Sequence, residues 1–105
     1  MSDNFDNLLD RLTKSTDKIQ KPKKYAVVFH NDNFTTREFV TEMLQKHFKH
    51  SIESATSIMV IVHESGKGIA GIYSFEIAET KSYAVLTEAK AHEYPLRITL
   101  QPVEE

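Results

Sequence analysis

Apolar and polar positions along this chain change period several times, and each change marks an element. Tyr25-Ala26-Val27-Val28-Phe29 is an unbroken apolar run rich in β-formers, which predicts a strand. Phe39, Val40, Met43, Leu44 and Phe48 then recur at spacings that put them on one stripe of a first helix. Ser51 predicts an N-cap with Glu53 in the turn behind it, and Ile52, Ala55, Ile58, Met59 and Val62 predict a second helix ending near Gly66. Beyond the Gly66-Lys67-Gly68 break, Ile69 to Phe75 reads as a strand with Ile69, Gly71, Tyr73 and Phe75 on one face. Ile77 to His92, mostly small and polar, predicts a third helix. Tyr94-Pro95 stops it, because the residue before a proline is pushed out of helical geometry. Finally Leu96, Ile98 and Leu100 alternate with Arg97, Thr99 and Gln101, the pattern of a strand with one dry and one wet face.

The order β-α-α-β-α-β predicts an α+β domain, a small three-stranded antiparallel sheet covered by three helices. Residues 1–24 carry none of these periods for long. They are rich in Asp, Lys, Ser and Thr, end in Gln20-Lys21-Pro22-Lys23-Lys24, and are expected to form a flexible N-terminal extension before a core domain of residues 25–105. Phe5, Leu8, Leu9 and Leu12 do follow helical spacing. Isolated helices shorter than about 12 to 15 residues are marginal in water, so a fraying segment is expected. As a coil the extension spans about 27 Å, enough to reach a neighbouring machine.

Composition narrows the function classes. A chain of 105 residues with net charge -2 and pI near 6.2 has one core and no overall basic field, so nucleic acid is not an expected partner. It has no cysteine, which removes disulfides, thiolate nucleophiles and sulfur-ligated zinc. No apolar run approaches membrane-spanning length, and Asp3, Asp6 and Asp10 interrupt any secretory signal, so a soluble cytoplasmic protein without a membrane partner is expected. Catalysis is not expected either: there is no G-x-S-x-G elbow and no glycine-rich phosphate cradle. His47 and His50 lack a third ligand, and His30 and His92 read as ordinary surface, so neither metal nor cofactor is expected.

The stretch from His30 to Phe39 sets hydrogen-bonding side chains where the first strand becomes the first helix. Thr35 and Glu38 read as a capping box, with Phe34 stapled against Phe39, a clamp that aims Asn31 and Asp32 outward. If the first two helices pack side by side, a groove bounded by Val40, Met59 and Val62 opens near this loop with His63 at its rim. Taken singly these residues have ordinary readings. Asp32 complements a helix dipole, Asn31 forms an Asx-turn, and His63 suits a helix C-terminus. Taken together, the Asn31 and Asp32 oxygens and a neutral imidazole are acceptors suited to the three donors of an ammonium group. A hydrophobic pocket beside them selects an amine carrying an apolar side chain, such as the first residue of a peptide. The competing readings are a ribosome-associated or structural interaction module with the pocket as mere core, and a small metal- or His-dependent hydrolase.

Several separated motifs carry a family resemblance: Asn31-Asp32-Asn33-Phe34-Thr35 with Glu38-Phe39-Val40, Ala55-Thr56 through Met59 to Val62-His63, Glu76 with Ala78-Glu79-Thr80-Lys81, and Pro95-Leu96. Over about Lys24 to Leu100 the chain resembles the ClpS adaptors, which hand N-degron substrates to the Clp ATPase-protease. The resemblance implies a non-catalytic adaptor, with Asn31, Asp32 and His63 binding the substrate α-amine and Thr35 in the same loop. It implies a side-chain pocket of Val40, Met59, Val62 and Leu96. It further implies that Glu76 and Lys81 contact the N-terminal domain of a ClpA-type AAA+ unfoldase, and that the polar extension serves in transfer. Two positions depart from the family pattern: Asn33 stands where a second acidic residue is usual, and Thr36-Arg37 where a Pro-Met pair is usual. Because the methionine position is a gatekeeper in the family, Arg37 implies a tilt toward Phe, Tyr or Trp over Leu, its guanidinium able to stack on a ring.

Overall fold

Strand β1 (Lys24–His30) runs through the middle of the sheet. In the computed structural model, which describes residues 23–104, it is followed by α1 (Arg37–Phe48), α2 (Ile52–Ser65), β2 (Lys67–Ser74), α3 (Phe75–Ala91) and β3 (Arg97–Val103). The strand order is β2-β1-β3, with both pairings antiparallel. The α+β arrangement and the element order are those expected from the patterning. The extension lies outside the described residues up to residue 22, while Lys24, assigned to it above, is the first residue of β1.

The unbroken apolar run of β1 follows from its place. Val27 and Phe29 face the helices and join the core with Phe39, Met43, Leu44 and Phe48 of α1. Ala26 and Val28, on the other face, are buried as well: they are small and lie between Ile72 and Gln101, and between Ile69 and Thr99, on the two flanking strands. A central strand flanked on both edges needs no polar alternation.

In β2 the sequence pattern and the structure part company. Val27 pairs with Gly71 while Val28 pairs with Ile69, so Ala70 is an extra residue in a β-bulge. The bulge resets the alternation: Gly68 and Ala70 are buried and Tyr73 packs on the core, whereas Ile69 is 51% exposed and does not share their face. The carbonyl of Ala70 accepts from His50 Nε2 at 2.6 Å. Phe75, expected to end this strand, instead opens α3, two residues before the expected start, with its ring edge-on to Tyr25 at 5.1 Å.

Helix α1 is fixed at both ends. Its N-cap is Thr36, whose hydroxyl accepts from the Phe39 N–H at 3.1 Å; the Thr35–Glu38 capping box expected from the sequence does not form, because the Thr35 hydroxyl is used elsewhere. Shifting the cap by one residue also removes the hydrophobic staple, and Phe34 is 72% exposed. At the other end Lys81 of α3 donates to the His47 carbonyl at 2.6 Å and lies over the rings of Phe48 and Tyr73. Glu88 of α3 accepts from His47 Nε2 at 2.5 Å and from Lys46 Nζ at 2.9 Å, and these contacts, that with His47 foremost, hold its carboxyl below the usual range. His47 and His50 are thus tied to α3 and the bulge rather than left in solvent. Helix α2 starts as expected at Ser51, which accepts from Ser54 N–H at 3.1 Å, and ends at Gly66 with φ 92°. Of its expected apolar stripe Ala55 and Val62 are buried, Ile58 and Met59 are half-buried, and Ile52 faces solvent.

Candidate functional site

The loop after β1 and the end of α2 meet because of strand register. Antiparallel pairing sets His30 opposite Lys67, so the residue after β1 and the residue before β2 are neighbours, and Asn31 N–H donates to the Gly66 carbonyl at 2.9 Å. Gly66 is also the C-cap of α2, so the last turn of that helix, with Val62 and His63, stands over the loop. Close approach of β2 beneath α2 depends on Gly68: a Cβ there would lie 2.8 Å from Val62 Cγ2.

Asp32 organises the loop. Its Oδ1 accepts from the N–H groups of Phe34 at 2.8 Å and Thr35 at 2.7 Å, and its Oδ2 accepts from the Thr35 hydroxyl at 2.6 Å. Partial burial pushes this carboxyl up, but the Thr35 hydroxyl and the two N–H donors outweigh it and hold Asp32 below its ordinary value. The loop therefore presents a fixed, ionised carboxylate. Thr35, read from the sequence as a helix cap, is instead the group that holds it.

Between this loop and helices α1 and α2 lies a cavity of about 460 Å³. Its apolar wall is Val40 of α1 with Met59 and Val62 of α2. Asn31, Asp32 and Thr35 edge it on the loop side, and Arg37 and His63 stand across from each other on the helix side. Arg37 Nη2 is 2.5 Å from His63 Nε2. A guanidinium can only donate, so Nε2 is the acceptor and the imidazole proton sits on Nδ1. Sequence reasoning placed both residues at the pocket and missed this contact, which joins positions 26 residues apart.

Of the residues expected to form the site, the structure brings Asn31, Asp32, Thr35, Arg37, Val40, Met59, Val62 and His63 around one cavity. Leu96 is not among them: it is buried in the core cluster and does not line the cavity, because the chain enters β3 on the helix-facing side of the sheet. Phe34, exposed by the shift of the cap, does line it. Glu76 is exposed in the first turn of α3, and Lys81 further along that helix is the partly buried ammonium that caps α1; neither lines the cavity. Among the described residues no group of three or more His, Cys, Asp or Glu side chains is placed to hold a metal ion, and no helix is long and apolar enough to cross a membrane.

The fold and the cavity define a small α+β domain with a clamped carboxylate at the edge of an apolar pocket. Residues 20–99 match the family model for the ATP-dependent Clp protease adaptor protein ClpS. A ClpS adapter of Lawsonia intracellularis is 51% identical over 89 residues, covering 85% of this chain and 82% of its own length. That of Desulfatibacillum aliphaticivorans is 43% identical over 100 residues, covering 95% of this chain and 96% of its own. Among solved structures, that of Agrobacterium tumefaciens ClpS2 bound to L-phenylalaninamide matches with a TM-score of 0.75 and 34% identity, covering 78% of this chain and 99% of that one. The chain belongs to the ClpS family of Clp protease adaptors.

Proposed function

We propose that this protein binds the N-terminal residue of substrate proteins, a bulky hydrophobic N-degron, through its free α-amine, and delivers those substrates to a ClpA-type unfoldase without itself catalysing a reaction. The observation that carries the reading is the pairing, in one cavity, of the fixed Asp32 carboxylate with the apolar wall of Val40, Met59 and Val62. An α-ammonium and an adjacent hydrophobic side chain match these two halves, and the phenylalaninamide held by the Agrobacterium relative is a compound of that kind. In this assignment Asn31, Asp32 and His63 receive the ammonium, the apolar wall receives the side chain, and Glu76 and Lys81 of α3 contribute to the ATPase contact. Arg37 tilts the pocket toward aromatic first residues.

Burying one Leu or Phe side chain yields about 1.5 to 3 kcal/mol, and each charged hydrogen bond nets about the same. After the cost of association the sum falls in the micromolar range, which suits an adaptor that must release its cargo. Tethering to a multimeric ATPase raises the effective affinity without new contacts. The test is fluorescence anisotropy with a Phe-initiated peptide and its N-acetylated twin. Acetylation is expected to weaken binding at least about tenfold, since it removes the charge and two of the three donors that the loop acceptors would receive. Equal binding of the two peptides refutes the assignment, and equal binding of Leu- and Phe-initiated peptides refutes the aromatic tilt.

A further inference from the structure

The imidazole of His63 stands at the cavity with one lone pair, and that lone pair is taken. Arg37 Nη2 donates to Nε2, and the proton that the neutral ring must then carry on Nδ1 makes the other nitrogen a donor. In this arrangement His63 cannot accept from an ammonium group at either nitrogen. The acceptors open to an incoming amine are those of the loop, Asn31 and the second lone pair of Asp32 Oδ2. Arg37 itself is exposed, sits in the first turn of α1, and has no carboxylate within ion-pair distance among the described residues, so the imidazole is what holds its guanidinium across the cavity.

From this we infer that Arg37 is an affinity- and specificity-determining residue that acts as a resident competitor: the substrate α-ammonium gains His63 only by displacing the Arg37 guanidinium from Nε2. The inference rests on the amine-binding reading above. Binding is then an exchange of one cation for another at a single acceptor, and each amine-bearing ligand must replace a hydrogen bond already made. Ligands without the ammonium do not ask for that acceptor and are not penalised. Arg37 therefore lowers affinity for free amines selectively, narrowing the margin by which the site tells an amine from its blocked form. The side chain is at an exposed helix position, so the exchange costs the fold little.

The experiment is a double-mutant cycle read as a ratio, the affinity for a Phe-initiated peptide divided by that for the same peptide N-acetylated. Four proteins are compared: the wild type, Arg37→Met, His63→Ala and the double variant, each checked for native circular dichroism and thermal unfolding. Methionine keeps an unbranched stem of similar reach but has no N–H to donate. Using the ratio cancels effects common to both peptides, such as a wider cavity or a lost contact between guanidinium and ring. The expected result is a ratio raised roughly fivefold to tenfold by Arg37→Met when His63 is present, and unchanged by it when His63 is alanine. A ratio unmoved by Arg37→Met in the His63 protein, or raised equally in the His63→Ala protein, overturns the exchange while leaving amine binding standing. A ratio near one in all four proteins overturns the amine-binding reading, and the exchange with it.

Discussion

Replacing Thr35 by Val removes one hydroxyl and changes little else, since the two side chains have nearly the same shape and the Thr35 N–H still donates to Asp32 Oδ1. The lost bond is the 2.6 Å contact to Oδ2 of an ionised carboxylate. Hydrogen bonds to charged groups net about 1.5 to 3 kcal/mol, and because both residues are only half-buried the discounted loss is about 1 kcal/mol. In a domain of this size that lowers the unfolding midpoint by about 4 to 8 °C, measured by circular dichroism near pH 7. The pH dependence identifies the cause. Asp32 is held below its ordinary value of 3.8, so its contribution is complete above that value and is lost as pH falls through the lower folded value. The gap between wild type and variant in urea unfolding should therefore be widest near pH 7 and shrink toward about pH 3. A gap of the same size at both ends of that range refutes a charge-assisted bond as its source. The freed carboxylate should also bind a Phe-initiated peptide about threefold less tightly, since part of its orientation is lost.

Asp32→Asn keeps an oxygen for the Phe34 and Thr35 N–H groups but discards the charge, so the preference for free over acetylated peptide should fall about tenfold and thermal stability should fall at least as far as in Thr35→Val; an undiminished preference places the amine elsewhere. Gly68→Ala sets a Cβ 2.8 Å from Val62 Cγ2, an overpacking expected to cost about 1 to 3 kcal/mol and to push Val62 into the cavity. Binding should weaken more for Phe- than for Leu-initiated peptides, and unchanged unfolding in urea contradicts the close approach. Lys81→Met loses the ammonium that caps α1 at the His47 carbonyl, at a cost of about 1 kcal/mol in chemical unfolding with peptide affinity unaltered; no change in stability refutes the cap as a stabilising contact.

Much of the fold was legible along the chain because it is written in local periodicity. The β1 run, the α1 stripe, the Ser51 cap and the Gly66 stop are determined by residues within a turn or two of one another, and each stands where the pattern puts it. That Asn31, Asp32 and His63 would meet at one cavity was legible for a different reason: they are polar groups at the ends of otherwise apolar elements, and the family resemblance drew them together. What local pattern did not determine depended on a partner distant in sequence. The bulge at Ala70 turned Ile69 outward through its pairing with β1, and no alternation rule within β2 reveals it. Two adjacent threonines compete for one cap, and only the position of Asp32 decides that Thr35 holds the carboxylate while Thr36 holds the helix. Leu96 reads as pocket or core with equal ease until β3 is docked. Most telling is the contact between Arg37 and His63: a histidine offers either a donor or an acceptor at each nitrogen, and the choice belongs to whichever group the folded chain sets beside it.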